Sequence, residues 1–133
     1  MNRSIRIFKI KIKSSENIRT FYIFATRMRL ANKKALEKLK RKNRGNTSLA
    51  KEIDLLIEDI ESNEWKDQTE LNETRSDADC VHSDGFYFFN ISVHRTMIMI
   101  EFDDSEATVV WVGSHQKYEE VFKNNKNTIR KWL

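Results

Sequence analysis

Within six positions near the C-terminal end, a chain of 133 residues carries an imidazole, an amine, a phenol and two carboxylates: His115, Lys117, Tyr118, Glu119 and Glu120. A helical turn opening at Ser114 would set His115, Tyr118 and Glu119 at i, i+3 and i+4, on one face. An imidazole with an ordinary pKa near ~6.5 takes up and releases protons around neutrality, so the group is a candidate for acid–base chemistry. The same residues also have a plainer structural reading. A His after a strand serves as a turn or capping residue, and Tyr118 with Val121 and Phe122 makes the apolar face of a docking helix. Glu119 and Glu120 are then solvated surface charges.

Cys80-Val81-His82, with His94 further on, forms a second constellation of metal-ligating types. Alternation along a strand would put Cys80 and His82 on one face. Zinc sites, however, use four ligands, or three and a water, in closer-set pairs, so no metal and no cofactor is expected. Cys80 is the only cysteine, which excludes an internal disulfide and a multi-thiolate site. There is no Gly-rich phosphate loop, no Gly-x-Ser-x-Gly elbow and no DNA-reading helix-turn-helix signature.

The elements that must position these side chains follow from periodicity. Ile5, Ile7, Phe8, Ile10 and Ile12 alternate with Arg and Lys, slipping phase at Phe8, and Ile18 to Thr26 is aromatic and β-branched. Two strands are expected there, with Ser14 to Asn17 as the turn. Leu30 to Lys42 is rich in Ala, Leu, Glu and Lys and reads as a helix, broken at Arg44-Gly45-Asn46. Leu49, Ile53, Leu56, Ile57 and Ile60 fall on one face of a second helix, with Thr47 or Ser48 as its cap and Trp65 as a core anchor beyond it. Residues 66–79 read as a loop or a short broken helix. The period then becomes two, giving strands at Asp79 to His82, Phe86 to Ile91, Met97 to Phe102 and Thr108 to Val112. Asp84-Gly85 and Asp103 to Ser105 supply turns. A helical end is expected from Ser114 towards Ile129 and Trp132. The class is α+β: two early helices on one face of a mainly antiparallel sheet of four to five strands, with a short C-terminal helix.

Charge is laid out unevenly. Residues 1–51 hold 16 Lys and Arg against two acids, residues 52–84 hold 12 acids against two bases, and the remainder cancels to leave a net +4. A basic half of this strength suggests a polyanionic partner, because cations that neutralise phosphates release condensed counterions. The alternative is a solvated helix face held by attraction to the acidic segment that follows. No apolar run approaches the ~18 residues of a membrane helix, and the first residues do not form a secretory signal. A single cytoplasmic domain is expected.

Four stretches together resemble the HigB-type toxins of the RelE/ParE superfamily. They are Glu64-Trp65-Lys66, Ser76 to Val81, Phe88-Phe89-Asn90-Ile91, and Val110 to Glu119, where an aromatic-aliphatic-Gly-Ser-His turn precedes a Tyr and an acid. They lie in the family's order over roughly residues 21–121. The chain departs from the pattern at Ser92 to Thr96, where the family has Gly-Asn-x-Tyr-Arg. Arg95 is therefore either the family's Arg in a slipped register or a turn residue. The resemblance sets residues 1–17 apart as a basic extension, 18–123 as the toxin domain and 124–133 as a tail.

This resemblance implies a RelE-like fold and the toxin of a bacterial type II toxin–antitoxin pair. Such a toxin is a ribosome-dependent mRNA endonuclease, silenced by a helix-turn-helix antitoxin that alone contacts operator DNA. Its metal-independent reaction, attack of the ribose 2′-hydroxyl on the adjacent phosphate, needs a base, cationic stabilisation and an acid. The residues that would supply these are His115, Tyr118, Lys117, Arg95 and Glu119. Tyr118 would donate to the phosphate or stack on a base, and Lys33, Lys34, Lys38, Arg41, Lys42 and Arg44 would grip RNA phosphates. The rival implications are a ParE-like protein that binds DNA gyrase without nuclease chemistry, and an inactive relative.

Overall fold

A computed structural model describes residues 4–13, 18–82, 85–123 and 125–133, with side chains from residue 27 onwards, those of 82–84 and 124 excepted. Strands β1 (Ser4–Lys13) and β2 (Ile18–Arg27) pair antiparallel along their whole length in a two-stranded sheet of their own. The turn expected at 14–17, and Asp84 of the one expected at Asp84-Gly85, lie outside the described residues. At the end of β2 the Arg27 guanidinium donates to the Ser62 carbonyl, and the Met28 amide donates to that of Asn63 at 2.9 Å.

Next come β3 (Arg29–Ala31), α1 (Lys34–Lys42), α2 (Thr47–Glu61), α3 (Gln68–Thr74), β4 (Asp79–His82), β5 (Phe86–Ile91), β6 (His94–Glu101), β7 (Glu106–Ser114), α4 (His115–Phe122) and α5 (Lys126–Trp132). The second sheet has the order β3-β7-β6-β5-β4 and is mixed: β3 runs parallel to β7, and every other pair is antiparallel. Leu30, expected in the first helix, belongs to β3. Met28 and Leu30 are buried with Arg29 exposed between them, which is strand alternation, and the helix opens only at Lys34.

In α2 all five residues of the expected stripe are buried. Its cap is Asn46, not Thr47 or Ser48, because the Asn46 side chain accepts the Leu49 amide at 3.1 Å. The acidic 66–79 stretch contains α3. Asp67 accepts the Glu70 amide and Glu70 accepts the Lys66 amide, both at 2.9 Å, so two otherwise orphaned donors are satisfied. The C-terminal helix is broken at Lys123, which adopts a left-handed φ of 53°. Beyond it the helical end expected towards Ile129 and Trp132 resumes as α5, whose Ile129 is buried.

The core has two parts. Leu36 of α1, the α2 stripe, Trp65 and Leu71 cluster with Tyr87, Phe89 and Ile91 of β5, Ile98 and Ile100 of β6, and Ala107 and Val109 of β7. On the other pleat Phe88 and Met97 join Tyr118, Phe122 and Ile129, with Trp111 against them. Strand alternation sends Met97 and Ile98 of β6 to opposite clusters, and between their partners Trp111 and Val109 the register shifts by one extra residue of β7, Val110. A second register shift lies between Cys80 and His82, and the expected placing of those two side chains on one face falls outside the described residues. Among the described residues no group of three His, Cys, Asp or Glu side chains is placed to hold a metal, and no helix is long and apolar enough to cross a membrane.

Candidate active site

Strand β6 begins at His94, earlier than the expected Met97, and β7 runs on to Ser114. Arg95 is therefore a strand residue, opposite Asn90 of β5 and Gly113 of β7, and the turn is Ser92-Val93. Gly113 leaves room for a neighbour: a Cβ there would lie 2.6 Å from the Trp111 ring. Ser114 caps α4 by accepting the Lys117 amide at 3.0 Å, and the His115 amide donates to the Val93 carbonyl at 2.8 Å. The β5–β6 turn and the start of α4 are thus joined at the end of the sheet.

Between them lies a groove of about 600 Å³ lined by Asn90, Ser92, Val93, His94, Arg95, Ser114, His115 and Gln116. Among the described residues its lining includes a guanidinium and two imidazoles and no carboxylate, and the N-terminal end of α4 adds a partial positive charge. Another groove, of about 450 Å³ between α1 and α2, is lined by Glu37, Asp54, Glu58 and Glu61 along with Arg27 and Lys33, a balance that disfavours phosphate.

The structure brings only some of the expected residues to the first groove. His115 is exposed there, its Nε2 3.6 Å from Glu119 Oε1, an ion pair once the ring is protonated. Arg95 lies with its guanidinium carbon 4.3 Å from the centroid of the Tyr118 ring, within cation–π range. Tyr118 itself is 1% exposed. Its ring is 4.9 Å from Phe88 and 5.8 Å from Phe122, so it has no open face for a splayed base and takes the docking-helix position. Burial pushes its phenol above the usual tyrosine range, Asp79 and Glu119 add to this, and Arg95 opposes it. Lys117 is outside the groove lining, 3.6 Å from Glu120.

The groove wall is held by residues that no periodicity or motif in the sequence marks as part of a site. Arg75, 8% exposed, bonds to Asp59 of α2 at 3.3 Å, to Asp77 at 2.7 Å and to the Asn90 carbonyl at 3.2 Å. Asp77 in turn accepts the Asn90 amide at 2.9 Å. The Ser76-Asp77-Ala78 stretch is the available signal, and it does local work: Asp77 holds the Asn90 amide while the neighbouring Arg75 holds the Asn90 carbonyl. His94, which the sequence offers only as a metal ligand, is also in the groove lining.

Of the six cations assigned to RNA, Lys34, Lys38, Arg41, Lys42 and Arg44 are exposed. Lys33 is held 3.2 Å from both Glu61 carboxylate oxygens, and the neighbouring Lys40 lies 2.6 Å from Asp54. Part of the basic helix is therefore paired to the acidic one, as the solvated-face alternative required. Lys38 and Lys42 rim a further groove, between α1 and β7.

A mixed five-stranded sheet with helices on both pleats and a cationic groove at its end is consistent with the RelE-like toxin class. The sequence profile of the HigB toxin family, described as the RelE-like toxic component of a toxin–antitoxin system, matches residues 49–121, over half the chain. The protein belongs to that family, and an antitoxin is implied as its partner. The matched stretch runs from α2 into α4 and includes Arg95, His115, Lys117, Tyr118 and Glu119. A search of curated proteins finds no match.

Proposed function

We propose that this toxin is a metal-independent mRNA endonuclease acting on the ribosome in the cytoplasm, with the groove at the ends of β6 and β7 as its active site. The observation that carries the reading is the meeting of Arg95 and His115 in one groove beside a helix N-terminus, with no carboxylate among its described lining residues. Arg95 offers planar, bidentate contact to the two non-bridging oxygens of a phosphate and stabilises the charge that builds there as the 2′-oxygen attacks. His115 exchanges the proton the reaction needs, with Glu119 Oε1 3.6 Å from its Nε2. Tyr118 acts from beneath, holding Arg95, and Lys117 lies far enough out to meet flanking phosphates. The exposed cations of α1 and its C-terminal turn, Lys34, Lys38, Arg41, Lys42 and Arg44, extend the contact to RNA, and Lys33 does so when released from Glu61. The full chain is taken as one domain with 18–123 as its toxin core, and its partner as a helix-turn-helix antitoxin.

Expression of the wild-type chain without antitoxin is expected to arrest growth through loss of translation. His115→Ala and Arg95→Ala are expected to restore growth while still folding and still binding antitoxin. Arrest that begins with DNA replication and gyrase-linked breaks would identify the ParE-like alternative instead.

A further inference from the structure

His94 is the groove residue that the reading above leaves unassigned. It opens β6, opposite Ser114 of β7 and Ile91 of β5. The residue before it, Val93, accepts the His115 amide, so the turn bearing one imidazole is tied to the helix start bearing the other. His94 and Arg95 leave β6 on opposite pleats. At the end of the sheet the Ser92-Val93 turn and the first turn of α4 line one groove with both. His94 Nδ1 is buried with no hydrogen-bond partner among the described residues, and the half-buried residue lines the groove. The charged groups facing it are Arg95 from its own strand and His115, backed by Glu119, from α4.

We propose that His94 is the general base of RNA cleavage, paired with His115 as the general acid. The inference rests on the ribonuclease reading above. In-line displacement puts the attacking and departing oxygens on opposite sides of phosphorus, where one imidazole cannot serve both at once. His94 Nε2 accepts the 2′-hydroxyl proton as the O2′–P bond forms. The P–O5′ bond breaks, and the 5′-oxygen leaves with a proton from the His115 imidazolium. The products are a 2′,3′-cyclic phosphate and a 5′-hydroxyl, with no oxidant, reductant or metal consumed. Burial holds His94 below the ordinary imidazole value, which keeps it neutral and able to accept.

The test compares wild type, His94→Asn and His94→Gln on ribosomes programmed with a defined mRNA, across pH. The expected result is a loss of about 10²–10⁴-fold in kcat and disappearance of the acid limb of the pH profile, with circular dichroism and antitoxin binding unchanged. In the wild-type chain, NMR titration with uridine 3′-monophosphate is expected to move the His94 midpoint to higher pH, because the bound phosphate favours the cation. Variants that cleave within about threefold of wild type with the acid limb intact, or a His94 midpoint that ignores the nucleotide, would overturn the inference and leave the ribonuclease reading standing. Wild-type protein that cuts no RNA would bring down both.

Discussion

The two pleats of the five-stranded sheet are covered by different chemistry. One lies under α1 and α2 and is mostly aliphatic: Leu36, Leu49, Ile53, Leu56 and Ile60 are wholly buried against it. The other is aromatic. Phe88, Trp111, Tyr118, Phe122 and Trp132 meet edge-on or tilted at centroid distances of 4.9–6.3 Å, and Arg95 is seated on one of these rings. Aliphatic packing stabilises without fixing orientation, whereas ring edges and faces set direction. The difference separates a pleat that holds the chain folded from one that aims a cation at the groove.

The largest expected effect comes from truncating the two pleats in parallel. Ile53→Ala is expected to cost about 2–5 kcal/mol and Phe88→Ala about 3–5 kcal/mol in urea unfolding. Only Phe88→Ala is expected also to slow cleavage per folded molecule, because it removes the ring that supports Tyr118. Equal losses of per-molecule rate in both variants would erase the distinction. A smaller effect should come from Tyr118 itself. Tyr118→Leu removes the surface under Arg95, worth about 1–2 kcal/mol, and should slow cleavage roughly tenfold. Tyr118→Phe keeps the ring and gives up only the hydroxyl's hydrogen bond with Arg95, so it should fall between wild type and the Leu variant; a Phe variant as slow as the Leu variant would mean that the hydroxyl, not the ring face, holds Arg95.

The smallest effect separates the buried phenols. Tyr87, in the aliphatic cluster, is pushed up to about 12 by burial, with Cys80 adding to it, while at Tyr118 the nearby Arg95 opposes the rise. Both phenols are neutral in the fold and ionise more easily when unfolded. Their contribution to stability is therefore intact below pH ~10 and lost as pH climbs from there through the folded values. In an ultraviolet titration, Arg95→Leu is expected to move Tyr118 still higher and leave Tyr87 in place.

How far the sequence reveals this arrangement differs between the pleats as well. The aliphatic one is legible, because Leu49 to Ile60 repeats at helical spacing and every one of those residues is buried. Its errors are local: Leu30 is drawn into the sheet by a three-residue parallel pairing with β7 that no periodicity announces, and Asn46 caps in place of its hydroxyl neighbours. The aromatic pleat is harder to read. His94, Arg95 and Thr96 are polar and look like turn, yet they open β6, and Thr96 is fully buried with its hydroxyl donating to the Trp111 carbonyl at 2.8 Å. The spacing of His115, Tyr118 and Glu119 is legible, but not that Tyr118 turns inward. That depends on Phe88 and Phe122, which reach the same place from separate elements.

The central claim, that the groove bearing Arg95 and His115 makes RNA cleave itself without a metal, is tested most directly by the ends of the cut. Wild-type toxin on programmed ribosomes in excess chelator should yield fragments ending in 2′,3′-cyclic phosphate and beginning with 5′-hydroxyl, and His115→Ala should yield almost none. Fragments with 3′-hydroxyl and 5′-phosphate ends, or cutting that the chelator abolishes, would contradict it.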